Sequence, residues 1–184
     1  MEVRDPDVEL LRQVAQGDER AARRLVAARL PRVLAFATRV LGERSDAEDV
    51  AQEVFLRVWR HAGRWRAGTA RFDTWLHTVT LNLCRDRIRR RRETLIAEPP
   101  DLPDPTPDAQ ARMEAAAGAR SVATAIASLP ERQKLAIILV HYQEMSNIEA
   151  ATIMSVSVEA LESLLSRGRR TLRHSLTGEE RRHD

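Results

Sequence analysis

The sequence of 184 residues is poor in several features that mark whole classes of protein. Its single cysteine, Cys84, excludes an intramolecular disulfide and a cysteine-rich zinc site. Aromatic residues make up only 4%, with 7 glycines and 8 prolines, which argues against a large β-sandwich or barrel. No long apolar run predicts a transmembrane helix, and the acidic start of the chain does not resemble a secretory signal. We therefore expect a cytoplasmic protein without membrane insertion.

Lysine is almost absent as well, because Lys134 is the only lysine among 30 basic residues and the other 29 are arginines. Arginine binds phosphate with two N–H groups at once and stacks on bases, which lysine does not do. The charge is uneven: residues 1–97 hold 20 arginines and 14 acids, whereas residues 98–128 hold two arginines and five acids. The basic first block favours a polyanionic partner, although a solvated helix surface would have the same composition.

Apolar residues recur at helical spacing along nearly the whole chain, which predicts an all-α fold. Five of the eight prolines fall between Glu98 and Asp108, a stretch that can form neither a helix nor a central strand. We therefore predict two small helical domains, residues 1–97 and 113–184, joined by an extended linker at residues 98–112.

Local signals predict where several helices begin and end. Pro31 is expected to interrupt the second helical pattern, and Gly42 is expected to end it. Three Ser-x-x-Glu stretches have the pattern of a capping box, in which the serine and the glutamate satisfy backbone N–H groups at a helix start. These stretches are Ser45–Glu48, Ser128–Glu131 and Ser146–Glu149.

The predicted helix from Phe72 to Arg92 carries one polar face. Such a face suits single-stranded nucleic acid, because arginines follow the backbone, an amide reads base edges and an indole stacks on an unpaired base. The alternative, of equal weight, is that Trp75 is half-buried core and the arginines are helix surface. The residues of this face are Arg71, Thr74, Trp75, Thr78, Asn82, Arg85 and Arg89.

His77 and Cys84 lie seven residues apart on another face and are the only candidates for a nucleophile and its base. The stripe that they share with Leu81 and Ile88 is apolar and no acid orients the histidine, so core packing is favoured. The chain has no glycine-rich phosphate loop and no cluster of metal ligands, so neither a cofactor, a metal nor an enzymatic activity is predicted.

Residues 146–176 have the pattern of a helix-turn-helix: a short capped helix, a break at 155–157 and a longer amphipathic helix. In this motif the second helix enters the major groove of duplex DNA. A plain helical hairpin would show the same order of charges, because acids suit a helix N-terminus and bases suit a C-terminus. The outer face of the second helix carries Glu159, Glu162, Ser163, Ser166, Arg167, Arg169, Arg170 and Arg173.

Four stretches resemble the bacterial sigma-70 family. Asp46–Trp59 is similar to the polymerase-binding helix of sigma region 2, and Phe72–Arg87 is similar to the promoter-melting helix of the same region. Leu129–Gln133 and Ser146–Arg173 resemble sigma region 4. Their order around a proline-rich linker resembles that of the extracytoplasmic-function (ECF) group.

The resemblance implies a sigma factor that binds core RNA polymerase, recognises and melts promoter DNA, and has an anti-sigma partner. The implied polymerase contacts are Asp46, Glu48, Asp49, Gln52 and Glu53. The implied contacts to single-stranded minus-ten DNA are Arg66, Arg71, Trp75, Thr78, Asn82, Arg85 and Arg89. The implied contacts to duplex minus-thirty-five DNA are Glu162, Ser163, Ser166, Arg167, Arg170 and Arg173.

The second domain departs from the family pattern at three positions. Glu162 and Leu164 stand where a lysine and an arginine are common, and Glu159 stands where a small residue is common. Leu164 could extend the apolar stripe of its helix instead. The alternative function is a stand-alone helix-turn-helix regulator that binds duplex DNA without polymerase. Such a protein needs neither the acidic stretch 46–53 nor the Trp75 face.

Overall fold

The computed structural model describes residues 7–65, 71–97 and 122–180, and each regular element in these ranges is helical. The all-α prediction is therefore confirmed, while the predicted linker lies outside the described residues. The first domain contains α1 (Asp7–Ala15), α2 (Glu19–Leu41), α3 (Arg44–Ala62) and α4 (Phe72–Ala97). The second domain contains α5 (residues 122–127), α6 (Glu131–Ile137), a π-helical turn (Ile138–Tyr142), α7 (Asn147–Met154) and α8 (Val158–Glu180). None of the helices in these ranges has an apolar stretch long enough to cross a bilayer.

The core of the first domain lies where α2, α3 and α4 pack against one another, with α1 covering one side. Leu25 of α2, Val54 of α3 and Leu76 of α4 are completely buried there. These residues belong to the apolar stripes read from the sequence, and burial of each such side chain contributes about 1.5–3 kcal/mol to folding.

In the second domain, α8 packs across α6 and α7. Leu161 and Leu165 are buried, which confirms the predicted apolar stripe of α8. Gly168 continues that stripe because a Cβ atom at this position would come within 3.2 Å of Cγ1 of Ile137. A glycine therefore lets α8 approach α6 closely.

The two domains pack against each other through α4 and α7 and through α2 and the π-helical turn. Phe36 of α2 and Leu81 of α4 are wholly buried and belong to the same cluster as the core residues of the second domain. Val40 is partly buried against both domain cores.

Two predicted helix ends are confirmed. Gly42 ends α2 with φ of 76°, a left-handed conformation, and its N–H donates to the carbonyl oxygen of Thr38 at 2.8 Å. The capping box of α7 is complete, because the Ser146 hydroxyl accepts from the Glu149 N–H while the Glu149 carboxylate accepts from the Ser146 N–H.

The expected interruption at Pro31 is wrong, since α2 runs unbroken from Glu19 to Leu41 with the proline inside it. Proline removes one backbone hydrogen bond. The helix nevertheless continues because Leu25 before Pro31 and Val33 after it are both fully buried in the same core.

The predictions of capping boxes at Ser45–Glu48 and Ser128–Glu131 are also wrong. Helix α3 is capped by Glu43, whose carboxylate accepts from the N–H of Ser45 at 3.3 Å, so the serine lies inside the helix. Helix α6 begins after Pro130 without a side-chain cap. The hydroxyl of Ser128 instead donates to the carbonyl oxygen of Ala125 and so satisfies a backbone acceptor at the C-terminal end of the preceding helix.

Candidate functional site

The outer surface of α3 carries most of the acidic residues that the resemblance assigns to polymerase. Glu48, Asp49 and Gln52 are exposed and Glu53 is half-buried. Glu53 accepts a hydrogen bond from Nε of Arg57 at 3.1 Å, one turn further along the helix. Four polar side chains therefore stand on one accessible strip of the first domain.

Asp46 lies apart from this strip, because it is buried and faces α4. One carboxylate oxygen accepts from Nε and Nη2 of Arg87 at 2.8 and 2.6 Å, and the other accepts from Arg91 at 3.1 Å. These hydrogen bonds raise the pKa of Arg87 above its ordinary value, and the nearby charge of Asp49 adds to the effect. Asp46 therefore joins the first turn of α3 to α4.

Sequence reasoning missed an apolar part of the same α3 surface. Leu56 is 48% exposed and Trp59 is 39% exposed, so both present apolar area to solvent. Next to Gln52, a groove of about 450 Å³ runs between α2 and α3. The buried stripe of α3 consists of Val50, Val54 and Val58. Leu56 and Trp59 fall outside this stripe in the sequence, and that spacing could have predicted their exposure. The groove is lined by Val26, Leu30, Leu34, Glu48, Ala51, Gln52 and Phe55.

On α4, Trp75 is half-buried at the rim of the first-domain core. Its ring lies 5.6 Å from that of His61, 5.7 Å from that of Trp65 and 5.8 Å from that of Phe72. These separations are typical of paired aromatic rings. The indole therefore contributes to the packing of the first domain, and part of its surface remains accessible to solvent.

The other α4 residues of the predicted DNA face are distributed between surface and contacts. Asn82 and Arg85 are exposed, and exposed Arg89 pairs with Asp86 at 3.0 Å. Thr74 is buried, and its carbonyl oxygen accepts from the hydroxyl of Thr78. Arg66 lies outside the described residues. The structure thus leaves Asn82, Arg85 and Arg89 exposed on this face.

Arg71, at the start of the same helix, reaches across to the second domain. Its guanidinium donates to a carboxylate oxygen of Glu149 on α7 at 3.0 Å. Burial alone would raise the pKa of Glu149, but hydrogen bonds from Ser146 and the charge of Arg71 together hold it below its ordinary value. Glu149 is therefore a carboxylate at neutral pH.

His77 and Cys84 are both completely buried, which agrees with core packing. Burial raises the pKa of the Cys84 thiol to about 12, so no thiolate forms near neutral pH. The expectation that no acid orients His77 is wrong, because a carboxylate oxygen of Asp73 lies 3.7 Å from Nδ1 of the ring. That nitrogen donates a hydrogen bond to the backbone oxygen of Asp73 at 2.8 Å. This hydrogen bond fixes the orientation of the ring in the core.

The outer face of α8 is accessible along its length. Leu164 is partly buried against the core of the second domain and extends the apolar stripe, as expected. Glu162 is exposed, and one of its oxygens accepts from the side-chain amide of Asn147 at 3.3 Å. Hydrogen bonds from its own backbone N–H and from Ser157 lower the pKa of Glu159. The residues predicted to read duplex DNA that stand exposed are Glu162, Ser163, Ser166, Arg167, Arg170 and Arg173.

Two family models match this arrangement of helices. The model described as Sigma-70 region 2 matches residues 25–94, and the model described as Sigma-70, region 4 matches residues 119–172. The chain belongs to the sigma-70 family. Sigma region 2 therefore comprises most of α2 together with α3 and α4, and sigma region 4 comprises the second domain.

Named relatives agree with this assignment. The ECF RNA polymerase sigma factor SigE of Mycolicibacterium smegmatis is 35% identical over 158 residues, covering 83% of this chain and 60% of the relative. The chain thus spans less than two thirds of the length of SigE. The prediction of an ECF-type sigma factor is confirmed, whereas the roles of individual side chains remain predictions.

Solved sigma-factor structures have the same fold. CnrH, solved in complex with the cytosolic domain of CnrY, is 29% identical, with a TM-score of 0.66 over 94% of this chain and 97% of its own. The sigma factor RpoE, solved with the anti-sigma factor NepR from Bartonella quintana, is 22% identical, with a TM-score of 0.71 over 84% of this chain and 96% of its own.

Proposed function

We propose that this sigma factor binds core RNA polymerase through α3, holds a separated promoter strand on α4 and reads duplex DNA with α8. It directs transcription initiation in the cytoplasm and catalyses no reaction itself. The observation that carries the proposal is the surface of α3, where exposed acids stand beside exposed large apolar side chains in a chain whose DNA-facing helices are basic.

The α3 surface suits a protein partner. Glu48, Asp49 and Gln52 form a polar rim, and Leu56 and Trp59 supply the apolar area that protein interfaces bury at their centre. Acids in this number would repel DNA phosphates. A stand-alone DNA-binding regulator has no use for such a surface, so polymerase binding is favoured over that alternative.

Asp46 has a positioning role in this proposal. Its carboxylate is occupied by Arg87 and Arg91 of α4, so it holds the polymerase-binding helix against the strand-binding helix. The carboxylate is buried while both arginines are partly exposed, so its removal costs the hydrogen bonds between the two helices but leaves no unpaired charge in the core. Substitutions at Asp46 would therefore act on stability before they act on a partner.

The DNA-facing helices offer complementary chemistry. Exposed Asn82 of α4 can read an unpaired base edge, and exposed Arg85 can track the backbone. Arg167 and Arg170 of α8 can bind phosphates beside the major groove, while Ser163 can donate to or accept from a base edge.

A regulatory protein partner is part of the proposal. CnrH, which resembles this chain over nearly its full length, was solved with the cytosolic domain of CnrY bound. This likeness supports a protein partner for the present chain, and we propose that the partner is an anti-sigma factor.

The polymerase interface is tested by reversing the charge of Asp49 and Glu53 together, Asp49→Arg with Glu53→Arg. We expect the folded double variant to lose co-purification with core RNA polymerase and run-off transcription on fragments of its own genome. The matched control is Glu9→Arg with Glu19→Arg, which makes the same charge change on α1 and at the start of α2. If the α3 variant kept its circular dichroism spectrum and still bound polymerase as well as the parent chain, the assignment of α3 to polymerase binding would be wrong.

A further inference from the structure

A pocket of about 640 Å³ lies where the C-terminal end of α2 meets the second domain. Its volume is within the range of about 300–1,000 Å³ that is typical of small-molecule sites in proteins. It is separate from the groove between α2 and α3, which adjoins the surface proposed for polymerase. Side chains of α2, α5, α6 and the π-helical turn contribute to the lining, so both domains form the pocket.

The walls of this pocket are mainly apolar. Val122 and Ile126 lie one turn apart on α5, and Tyr142 comes from the π-helical turn. Val122 is 36% exposed and Tyr142 is 39% exposed, so both present apolar area to solvent. A ligand that covered these side chains would remove this area from water, which is favourable.

Two basic side chains, Arg39 and Lys134, line the same pocket, and none of the described residues that line it is acidic. The guanidinium of Arg39 lies 4.3 Å from the centre of the Tyr142 ring, a cation–π distance. The ammonium of Lys134 donates to the carbonyl oxygen of Val40 at 3.2 Å. Each cation has more N–H donors than these contacts use, so both can still donate to an anion.

The environment of Lys134 also favours an anion. Burial lowers the pKa of Lys134, and the charge of Glu131, one turn earlier, opposes this shift only in part. Because a neighbouring negative charge stabilises a partly buried cation, a carboxylate in the pocket would raise the pKa again. Lys134 is the only lysine of the chain, so its side chain can be observed without overlap from others.

We propose that this pocket binds a small carboxylate with an apolar body, such as a medium-chain fatty acid. The carboxylate lies between Lys134 and Arg39, and the apolar body covers Val122, Ile126 and Tyr142. The combination of two cations with apolar walls favours such a ligand over a free phosphate, which has no apolar part. Because the ligand contacts both domains at once, its binding stabilises their packing and opposes their separation.

The probe is octanoate, added to protein whose only lysine carries carbon-13 at Cε. We expect the single Lys134 signal to shift until saturation, the pKa of Lys134 to rise in the complex, and the melting temperature to increase with octanoate concentration. Octanol lacks the charge and acetate lacks the apolar body. Each should bind roughly tenfold more weakly than octanoate, the value of one charge-assisted contact or of a few buried methylene groups.

Ala127→Trp tests the pocket from an exposed position on α5, because the indole would fill the space without disturbing the core. We expect it to abolish octanoate binding. The matched control is Thr124→Trp, since Thr124 is exposed on the same helix and is not among the residues that line the pocket. Lys134→Met keeps the length of the side chain but removes its charge, so it should weaken octanoate roughly tenfold and leave octanol unaffected.

Three results would each overturn the proposal: an unchanged Lys134 signal at millimolar octanoate, equal binding of octanol and octanoate, or retained binding by folded Ala127→Trp. If Ala127→Trp lost core polymerase while octanoate left the Lys134 signal unchanged, the pocket would be a protein-binding site and the proposal would be wrong. The titration uses neither DNA nor polymerase, so its outcome is independent of the proposed function.

Discussion

The two helices that face DNA in the proposed function, α4 and α8, are built differently. On α4, Trp75 packs among three aromatic rings and Arg71 is paired with Glu149. On α8, Arg167 and Arg170 are exposed, and neither forms an ion pair within the described part of the chain. The contrast teaches that the DNA contacts proposed for Trp75 and Arg71 on α4 are coupled to folding and to the packing of the two domains, whereas those on α8 are independent of both.

The cause of the difference is the number of neighbours that each helix has. Helix α4 packs against α2 and α3 on one side and α7 on another, so most of its circumference has a structural partner. Helix α8 buries one stripe against α6 and α7 and leaves the opposite face to solvent. Substitutions should therefore change DNA binding without changing stability on α8 and at exposed Asn82 of α4, and should change both together at half-buried Trp75.

The largest effect is expected for Trp75→Ala. Truncation of a fully buried aromatic residue to alanine lowers the free energy of unfolding by about 3–5 kcal/mol. For this half-buried ring we expect a loss of about 2–3 kcal/mol. Urea unfolding measures the loss, and permanganate footprinting should show weaker promoter melting as well. Trp75→Phe should restore much of the stability. If Trp75→Ala reduced melting at full stability, the proposed coupling on α4 would be wrong.

Asn82→Ala sharpens the comparison within α4, because Asn82 is exposed. We expect no measurable change in the free energy of unfolding and a loss of about 1–3 kcal/mol in open-complex formation, the value of a good base-edge contact. Closed-complex binding, measured on duplex promoter DNA before melting, should stay the same. Equal losses in both complexes would mean that Asn82 does not act on the separated strand.

A further effect on α4 is expected from pH. Burial lowers the pKa of His77. The charge of Asp73 and the hydrogen bonds to Asp73 and to the side-chain oxygen of Gln143 oppose this shift, and Arg32 adds a smaller lowering. The native state thus binds fewer protons than an unfolded chain, whose histidine has a pKa of about 6.5. The contribution of His77 to the free energy of unfolding should therefore be constant above about pH 6.5 and should decrease as the pH falls below that value.

Urea unfolding between roughly pH 7.5 and 5 checks this dependence, with His77→Gln as the control. The glutamine keeps a polar group at the position but removes the titration. A pH profile as steep in the variant as in the parent chain would assign the dependence to other groups.

The sequence predicted the helices, their buried stripes and the exposed α8 face because these depend on periodicity along a single helix. It did not predict that Asp46 faces α4, because the partner arginines lie about 40 residues away and only tertiary packing brings them together. The exposure of Trp59 was missed for a related reason: a large apolar residue reads as core until its neighbours are known. The Arg71–Glu149 pair spans the two domains and has no local signal at all.

On α8, Arg170→Ala should weaken binding of every duplex sequence several-fold and reduce the slope of the logarithm of affinity against the logarithm of salt concentration by about one. The free energy of unfolding should not change, because the side chain is exposed. Fluorescence anisotropy across a salt series measures the slope. A selective loss on one sequence would instead show that Arg170 reads a base.

The smallest effect is expected for Glu162→Gln, at the start of the same face. One carboxylate oxygen of Glu162 is held by the amide of Asn147, which leaves the other oxygen free to accept from the amino group of a cytosine. Glutamine keeps an oxygen acceptor for Asn147 but offers a weaker one to the base, so we expect a loss of about 1 kcal/mol on the preferred promoter only. If the carboxylate served only the dipole of α8, its removal would lessen repulsion of phosphate and raise the affinity for all sequences alike. Binding to a library of minus-thirty-five duplexes decides between the two, and a uniform gain would refute base reading by Glu162.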